Sequence, residues 1–368
     1  MVILTKEQQQ ASAQTGLWIP ELERDAYGVG FRMPHRGACG CDNDSGDGEG
    51  VLTAIPDDLY RKSVKEQDGS DLPPLGHYAT GIFFLAEESY NQAKEAFQDL
   101  ARACGLWVIL AKTEPLIRQV FVSVDYAESD QAKFERSVYL LRKLAVTCIT
   151  KQEVECYVCS LSTSTIVYKG QFNTHQLFKY YEGLINPEYQ THPALPNRIL
   201  AHNGEINTFR ESINLMRARE GVMKSKHHRD DLQKLFPIVE EGLTDSGCLD
   251  NVMEFLVRAG GRSLPETAMI MMPEAWEKDN NMSTEKKHFF RGAAMSMEPW
   301  DGPALLAFSD GRYIGAILDR SGQRKQNVIV SYDVVVLVCV LMDTLEGSVA
   351  MGHVVPLARR WNLRSRME

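Results

Sequence analysis

The sequence has no stretch able to cross a bilayer as a helix. Its most apolar run, Val328 to Val340 (VIVSYDVVVLVCV), falls short of the ~20 residues a spanning helix needs and is interrupted by Ser331 and Asp333. Its β-branched content reads instead as a buried strand. Positive charge is in deficit: 40 Lys and Arg stand against 49 Asp and Glu, a net charge of −9. That leaves no broad cationic footprint for nucleic acid or an anionic membrane, so neither is expected as a partner. Cysteine is sparse, with eight scattered over 368 residues, and no basic-then-apolar secretory leader opens the chain. Free thiols in a reducing compartment follow, with the cytoplasm as the default. Met1 to Arg24, with its glutamates and run of glutamines, is also unlike an Arg/Ser-rich organellar leader. Internal repeats and low-complexity linkers are missing too, while 44% apolar and 24% charged residues are ordinary globular usage.

What is present is a mixed pattern. Seven glycines from Gly28 to Gly50 predict loop and tight turn. Thr80 to Leu85 and Leu116 to Val124 are rich in β-branched and aromatic residues and read as strands, the second apolar on both faces and therefore inner. Ala93, Ala96, Phe97, Leu100 and Ala101 recur at helical spacing, as do Phe134, Val138, Leu141 and Ala145. Val154 to Gly170 predicts two strands around a Ser/Thr turn. Ala304 to Ile317 predicts a hairpin with Asp310-Gly311 in a type I′ turn. Thr208 and Glu211 have capping-box spacing ahead of Phe209, Ile213 and Met216. Leu249, Val252, Met253, Leu256 and Val257 mark a further helix. The whole reads as one mixed domain with mainly antiparallel pairing, then a tail.

Three short loops carry candidate chemistry: DAYGVGF at 25–31, AHNGEIN at 201–207 and TDSG at 244–247. Two of them lead into helices, whose first amides point outward. Asn203 and Gly204 can give a side-chain and a backbone donor to a developing oxyanion, as acyl transfer requires. Asp245 can hold a substrate ammonium. Each feature also has a plain structural reading, because Asn-Gly is a common turn and Asp-Ser a common cap. Cys39 and Cys41 are one residue apart, closer than a zinc pair, so no metal site is expected.

In this order, DAYGVGF, HRGACGCDNDSGDGEGVLTAIP, SVYLLRK, YVCSLSTSTIVYKG, NRILAHNGEINTFRESINLMRARE, GLTDSGCLDNVMEFLVRAGG and EPWDGPALLAFSDGRYIGAILDRSG resemble the N-terminal glutamine amidotransferase domain of the glutamate synthase large subunit. The resemblance covers about residues 17–322. It implies the α+β N-terminal-nucleophile fold, a four-layer sandwich of two antiparallel sheets between helices, here with segments missing. It divides the chain into a leader-like segment at 1–26, the amidotransferase domain at 27–322 and a divergent tail at 323–368. In that family a leader is removed to expose a cysteine whose thiol attacks the glutamine amide while its own α-amine acts as base. Glutamine becomes glutamate and ammonia, and in the full-length enzyme the ammonia aminates 2-oxoglutarate in domains that carry FMN and an iron-sulfur cluster. No cofactor is expected in this chain. Carried over position by position, Asn203 and Gly204 match the oxyanion pair, Asp245 matches the residue that holds the glutamine α-amino group, and Tyr27 falls on the nucleophile.

That last match breaks the chemistry. A phenol has an unperturbed pKa of about 10 against about 8.5 for a thiol, and the ring fills the space where the amide must sit. Family members also carry a longer stretch between Phe31 and His35, and before AHNGEIN an arginine that binds the glutamine carboxylate; here YQTHPALPN at 189–197 runs across instead. Arg198 matches a different family position. The sequence therefore supports a glutaminase domain without its nucleophile. The alternatives are a catalytically silent domain that binds glutamine or a synthase subunit, or a truncated and incorrectly joined fragment.

Overall fold

A computed structural model describes residues 28–29, 31–32, 49–86, 88–113, 117–124, 130–150, 154, 156–170, 174–181, 197–318, 327–330, 335–338 and 353–356. Tyr27, Cys39 and Cys41 lie outside the described residues. So do 1–26 and most of the tail. Part of the glycine-dense stretch is paired strand and not loop alone. Gly28 and Val29 of β1 (Gly28–Val29) lie opposite Thr53 and Leu52 of β3 (Glu49–Ala54), and β2 (Phe31–Arg32) follows β1 directly. Glycine lacks a side chain to pack but keeps both backbone ladder groups, a capacity that a count of turn formers leaves out.

β4 (Tyr78–Leu85), β5 (Trp107–Thr113), β6 (Ile117–Ser123) and β7 (Cys156–Val158) form an antiparallel sheet in the order β5-β6-β4-β7. β6 is inner, as its two apolar faces predict. Among the described residues the helices are α1 (Asp57–Asp68), α2 (Tyr90–Ala103), α3 (Gln131–Thr150), α4 (Thr174–Tyr180), α5 (Phe209–Glu220), α6 (Asp245–Arg258), α7 (Leu264–Met271) and α8 (Thr284–Ala294). The period-2 pattern sends Ala79, Phe83, Val120 and Val122 to one side, against Phe97 of α2 and Phe134, Val138 and Leu141 of α3. It sends Tyr78, Ile82 and Phe121 to the other, against Val51 and Leu52 of β3, Ile166 and Val167 of β8 (Thr165–Gly170), and Tyr60 of α1. Both predicted helical stripes are thus core.

The two strands around the Ser/Thr turn do not pair with each other. β7 pairs β4, β8 pairs β3, and the chain crosses between the sheets at 159–164. Glu135 of α3 fixes that crossing: its buried carboxylate accepts from Ser162 Oγ at 2.9 Å, Thr163 N at 2.7 Å and the Thr163 hydroxyl, and pairs with Arg258 at 3.0 Å. Burial would raise its pKa, but the Arg258 charge and the Thr163 and Ser162 donors hold it below the usual value.

β9 (Leu200–Gly204), β10 (Ala304–Ser309), β11 (Tyr313–Leu318) and β14 (His353–Pro356) make a second antiparallel sheet, ordered β14-β11-β10-β9. Leu200, Leu306 and Phe308 from it meet Met216 of α5 and Leu249, Val252 and Met253 of α6 in the largest core cluster. The β10–β11 hairpin forms, but not through a type I′ turn, which needs positive φ at two central residues. Of its loop residues only Gly311 has positive φ, at 82°, because the Asp310 carboxylate accepts from the amides of Arg312 and Tyr313 at 2.9 Å each. The capping box is also not formed. Thr208 sits at the N-cap of α5 without a side-chain cap bond; its hydroxyl accepts instead from Asp301 N at 2.9 Å. Val328 to Val340 holds two strands and not one, β12 (Asn327–Val330) and β13 (Val335–Val338), paired antiparallel with Val330 opposite Val335. The interrupting Ser331 and Asp333 fall between them. β13 also pairs β2 in parallel, the one parallel ladder among the described residues. No described helix is long and apolar enough to cross a membrane.

One close approach tests the crossing between sheets. Thr80 bridges Ser162, and a Cβ on Gly81 would lie 1.9 Å from Ser160 O. Gly81→Ala is therefore expected to cost about 1–3 kcal/mol, measured as a lower urea midpoint. An unchanged midpoint would show that the strand and the crossing can separate freely.

Candidate active site

The first half of AHNGEIN is strand and not loop. Gly204 and Asn203 end β9, opposite Ala304 and Leu305. The turn that follows is held by β10 and its approach: Asn207 N donates to Asp301 O at 2.8 Å, and Ile206 is fully buried. Gly302 permits this packing, since a Cβ there would lie 2.0 Å from Glu205 O. α5 starts two residues after Asn207. The strand therefore delivers the Asn-Gly pair to a fixed point between a sheet and a helix.

Asp245 is the first residue of α6 and not its cap. Thr244 is the cap, its side chain accepting from Gly247 N at 3.2 Å. This leaves the Asp245 carboxylate available to reach across to the turn. Its Oδ2 accepts from Ile206 N at 2.9 Å, and its Oδ1 accepts from Ser246 N at 2.7 Å and Ser246 Oγ at 3.2 Å. Asp245 is thus tied to the residue two positions beyond Gly204. Three of the carboxylate's roughly four acceptor positions are filled, and no donor among the described residues fills the second position on Oδ2.

Two further contacts bind α6 to β9. Ser246 Oγ lies 2.7 Å from His202 Nδ1. Asp250, 1% exposed, accepts from the amides of Arg198, Ile199 and Leu200 at 3.1, 3.0 and 3.3 Å. The helix therefore grips the strand at its entry, its middle and its exit. His202, Ser246, Asp250 and Gly302 were not singled out from the sequence. The available signal was Asp250, an acid among apolar residues on a helix, which is seldom buried unless it has partners.

Behind Asp250 lies a buried ionic cluster. Arg142, with a fully buried side chain, pairs with Glu254 and lies 3.9 Å from Glu240. Glu240 also faces Lys143 at 3.3 Å and Arg198 at 3.7 Å. Burial would raise the Glu240 pKa, but the charges of Arg198, Lys143 and Arg142 hold it at about 2. Burial lowers Lys143 to about 8 against the pull of Glu240. Burial and the neighbouring Glu254 charge raise Asp250 to about 6. The Arg198 guanidinium lies beside Glu240 and donates to Val158 O at 3.3 Å. No group of three or more potential metal ligands occurs among the described residues.

A strand ending in Asn-Gly thus lies beside a helix that opens with an acid. The model of the class II glutamine amidotransferases matches residues 20–346, running past Gly322. The chain belongs to the class II glutamine amidotransferases. It is 40% identical over 381 positions to the NADH glutamate synthase of Saccharomyces cerevisiae, covering 86% of this chain and 18% of that protein. It is 35% identical over 373 positions to the large chain of the NADPH glutamate synthase of Bacillus subtilis, covering 86% and 24%. It is also 35% identical over 378 positions to ferredoxin-dependent glutamate synthase 2 of Synechocystis, again 86% and 24%. These matches identify it as a glutamine amidotransferase domain of the glutamate synthase kind, spanning about a fifth of the relatives' length. In the yeast alignment, 86% of 368 residues is about 316, short of the 381 aligned positions, so the alignment opens gaps in this chain.

The ionic cluster gives the site a pH signature. Glu240 titrates near 2 when folded and near 4.3 when unfolded. Its contribution, about 3 kcal/mol, is present above the unfolded value and is lost as pH falls through the folded one. Glu240→Gln should therefore lie well below wild type in urea midpoint at pH 7, with the gap closing from about pH 5 toward pH 2. A gap independent of pH would mean that its charge does not hold the cluster.

Proposed function

We propose that this chain is a glutamine-recognising amidotransferase domain that has kept the oxyanion and amino-group positions but lost the nucleophile. The observation that carries the reading is the Asp245–Ile206 bond, which couples the acid matched to the substrate amino group to the turn directly behind Asn203-Gly204. In this reading Gly204 N–H and the Asn203 amide serve the amide carbonyl of glutamine, and the open Oδ2 position of Asp245 takes its ammonium. The fold is the four-layer sandwich of the family with segments missing, and the cytoplasm is its compartment.

Tyr27 stands where the family has cysteine. Hydrolysis through a thioester needs a thiolate with an amine base beside it. A phenol with a pKa near 10 supplies neither the nucleophile nor the room. The domain is therefore silent as a glutaminase, and its use is binding, either of glutamine itself or of a glutamate synthase subunit. The relatives' full activity belongs to lengths of chain that this one does not span.

The purified chain is expected to release no ammonia from glutamine above background and to resist labelling by a glutamine-mimicking electrophile. Tyr27→Cys alone is expected to remain inactive, because the carboxylate-binding arginine is still lacking. Turnover by the wild type would overturn the silent reading. Turnover by the single mutant would show that the arginine segment is dispensable.

A further inference from the structure

We propose that Ser246 and His202 are positioning residues that aim the Asp245 carboxylate at the α-ammonium of an amino-acid ligand; this rests on the reading of Asp245 given above. The three side chains form a directed chain. Asp245 Oδ1 accepts from Ser246 Oγ at 3.2 Å, and Ser246 Oγ lies 2.7 Å from His202 Nδ1. A hydroxyl has one proton to give. If that proton goes to the carboxylate, the ring must supply the proton of the shorter contact. In the proposed relay the hydroxyl proton goes to the carboxylate, so His202 is the Nδ1–H tautomer and protons run Nδ1–H to Oγ–H to Oδ1.

The location of the chain gives it its effect. His202 is in the middle of β9, one residue before Asn203, with its Cα partner at Leu306 of β10. Ser246 and Asp245 open α6. The relay therefore joins α6 to the middle of β9, while the Ile206–Asp245 bond joins α6 to the turn that follows the strand. With Oδ1 held by two donors from Ser246 and Oδ2 by Ile206 N, the carboxylate cannot rotate without breaking a bond at each end. The Oδ2 acceptor position that no described donor fills then has a fixed direction, which favours a charge-assisted bond to an ammonium and adds nothing for a ligand that lacks one.

The test uses the full chain, L-glutamine and 4-carbamoylbutanoate, which is glutamine without its amino group. Binding is followed by saturation-transfer titration, which reads weak affinities, and the His202 tautomer by imidazole ¹⁵N shifts. Ser246→Ala is expected to weaken glutamine about tenfold while changing 4-carbamoylbutanoate by under about twofold. Ser246→Thr, which keeps the hydroxyl, should restore glutamine, and wild-type His202 should carry its proton on Nδ1. Equal weakening of both ligands would reduce Ser246 to a packing role and overturn the proposal. An Nε2–H tautomer would overturn the relay whatever glutamine does. Wild type that binds neither ligand while showing the Nδ1–H tautomer would sink the recognition reading, and with it the relay's assignment to an ammonium.

Discussion

The rest of the site depends on one buried carboxylate. Asp250 accepts three consecutive backbone amides at the entry to β9. Amides left unpaired in a core cost about 1–3 kcal/mol each, so their strand would not lie against α6 without Asp250. Once the entry is held, the pleat determines where everything further along the strand goes. His202 reaches Ser246, and the exit turn reaches Asp245. A helix and a strand remote in sequence thereby become one rigid corner.

Holding a charge at that depth has a consequence of its own. Asp250 and Glu254 lie one helical turn apart, and burial and mutual repulsion push Asp250 up to about 6. Arg142, Lys143 and Arg198 are the answering charges. They reach the acids from α3 and from the residues just before β9, with Glu240 completing the cluster. Replacing one partner of such a buried pair is costly because the other is left uncompensated. The cluster therefore specifies which way α3, α6 and β9 pack. Arg198, two residues before β9, is held in the cluster by Glu240 at 3.7 Å.

The sequence made elements legible where periodicity was strong. The stripes of α2 and α3, the inner strand β6 and the apolar face of α6 are set by burial, which follows the apolar pattern closely. It was less informative where polar side chains chose among several backbone partners. Thr208 had the spacing of a capping box, yet its hydroxyl serves Asp301 N, a partner distant in the chain. Asp310 and Gly311 had turn chemistry, but the Asp310 carboxylate selected a loop with a single positive φ. The short strands β1 and β2 were hidden by glycine, whose ladder capacity leaves no mark in hydropathy. Of the candidate site, Asn203, Gly204 and Asp245 were named from motif order. What joins them, namely Asp250, Ser246, His202 and Gly302, was not, because each acts through tertiary contacts that spacing does not encode.

These two kinds of residue also separate what can be lost from what cannot. The corner built by α6 and β9 is held by bonds among Asp245, Ser246, Asp250, His202 and Ile206, none of which belongs to a nucleophile. The corner's own residues are bound into the core at both ends: Asp250 into the ionic cluster and Ile206 into the apolar cluster that includes Leu249 and Val252. Removing any of them would disturb folding before it disturbed chemistry. The geometry of the corner is thus held by the same bonds that hold the fold.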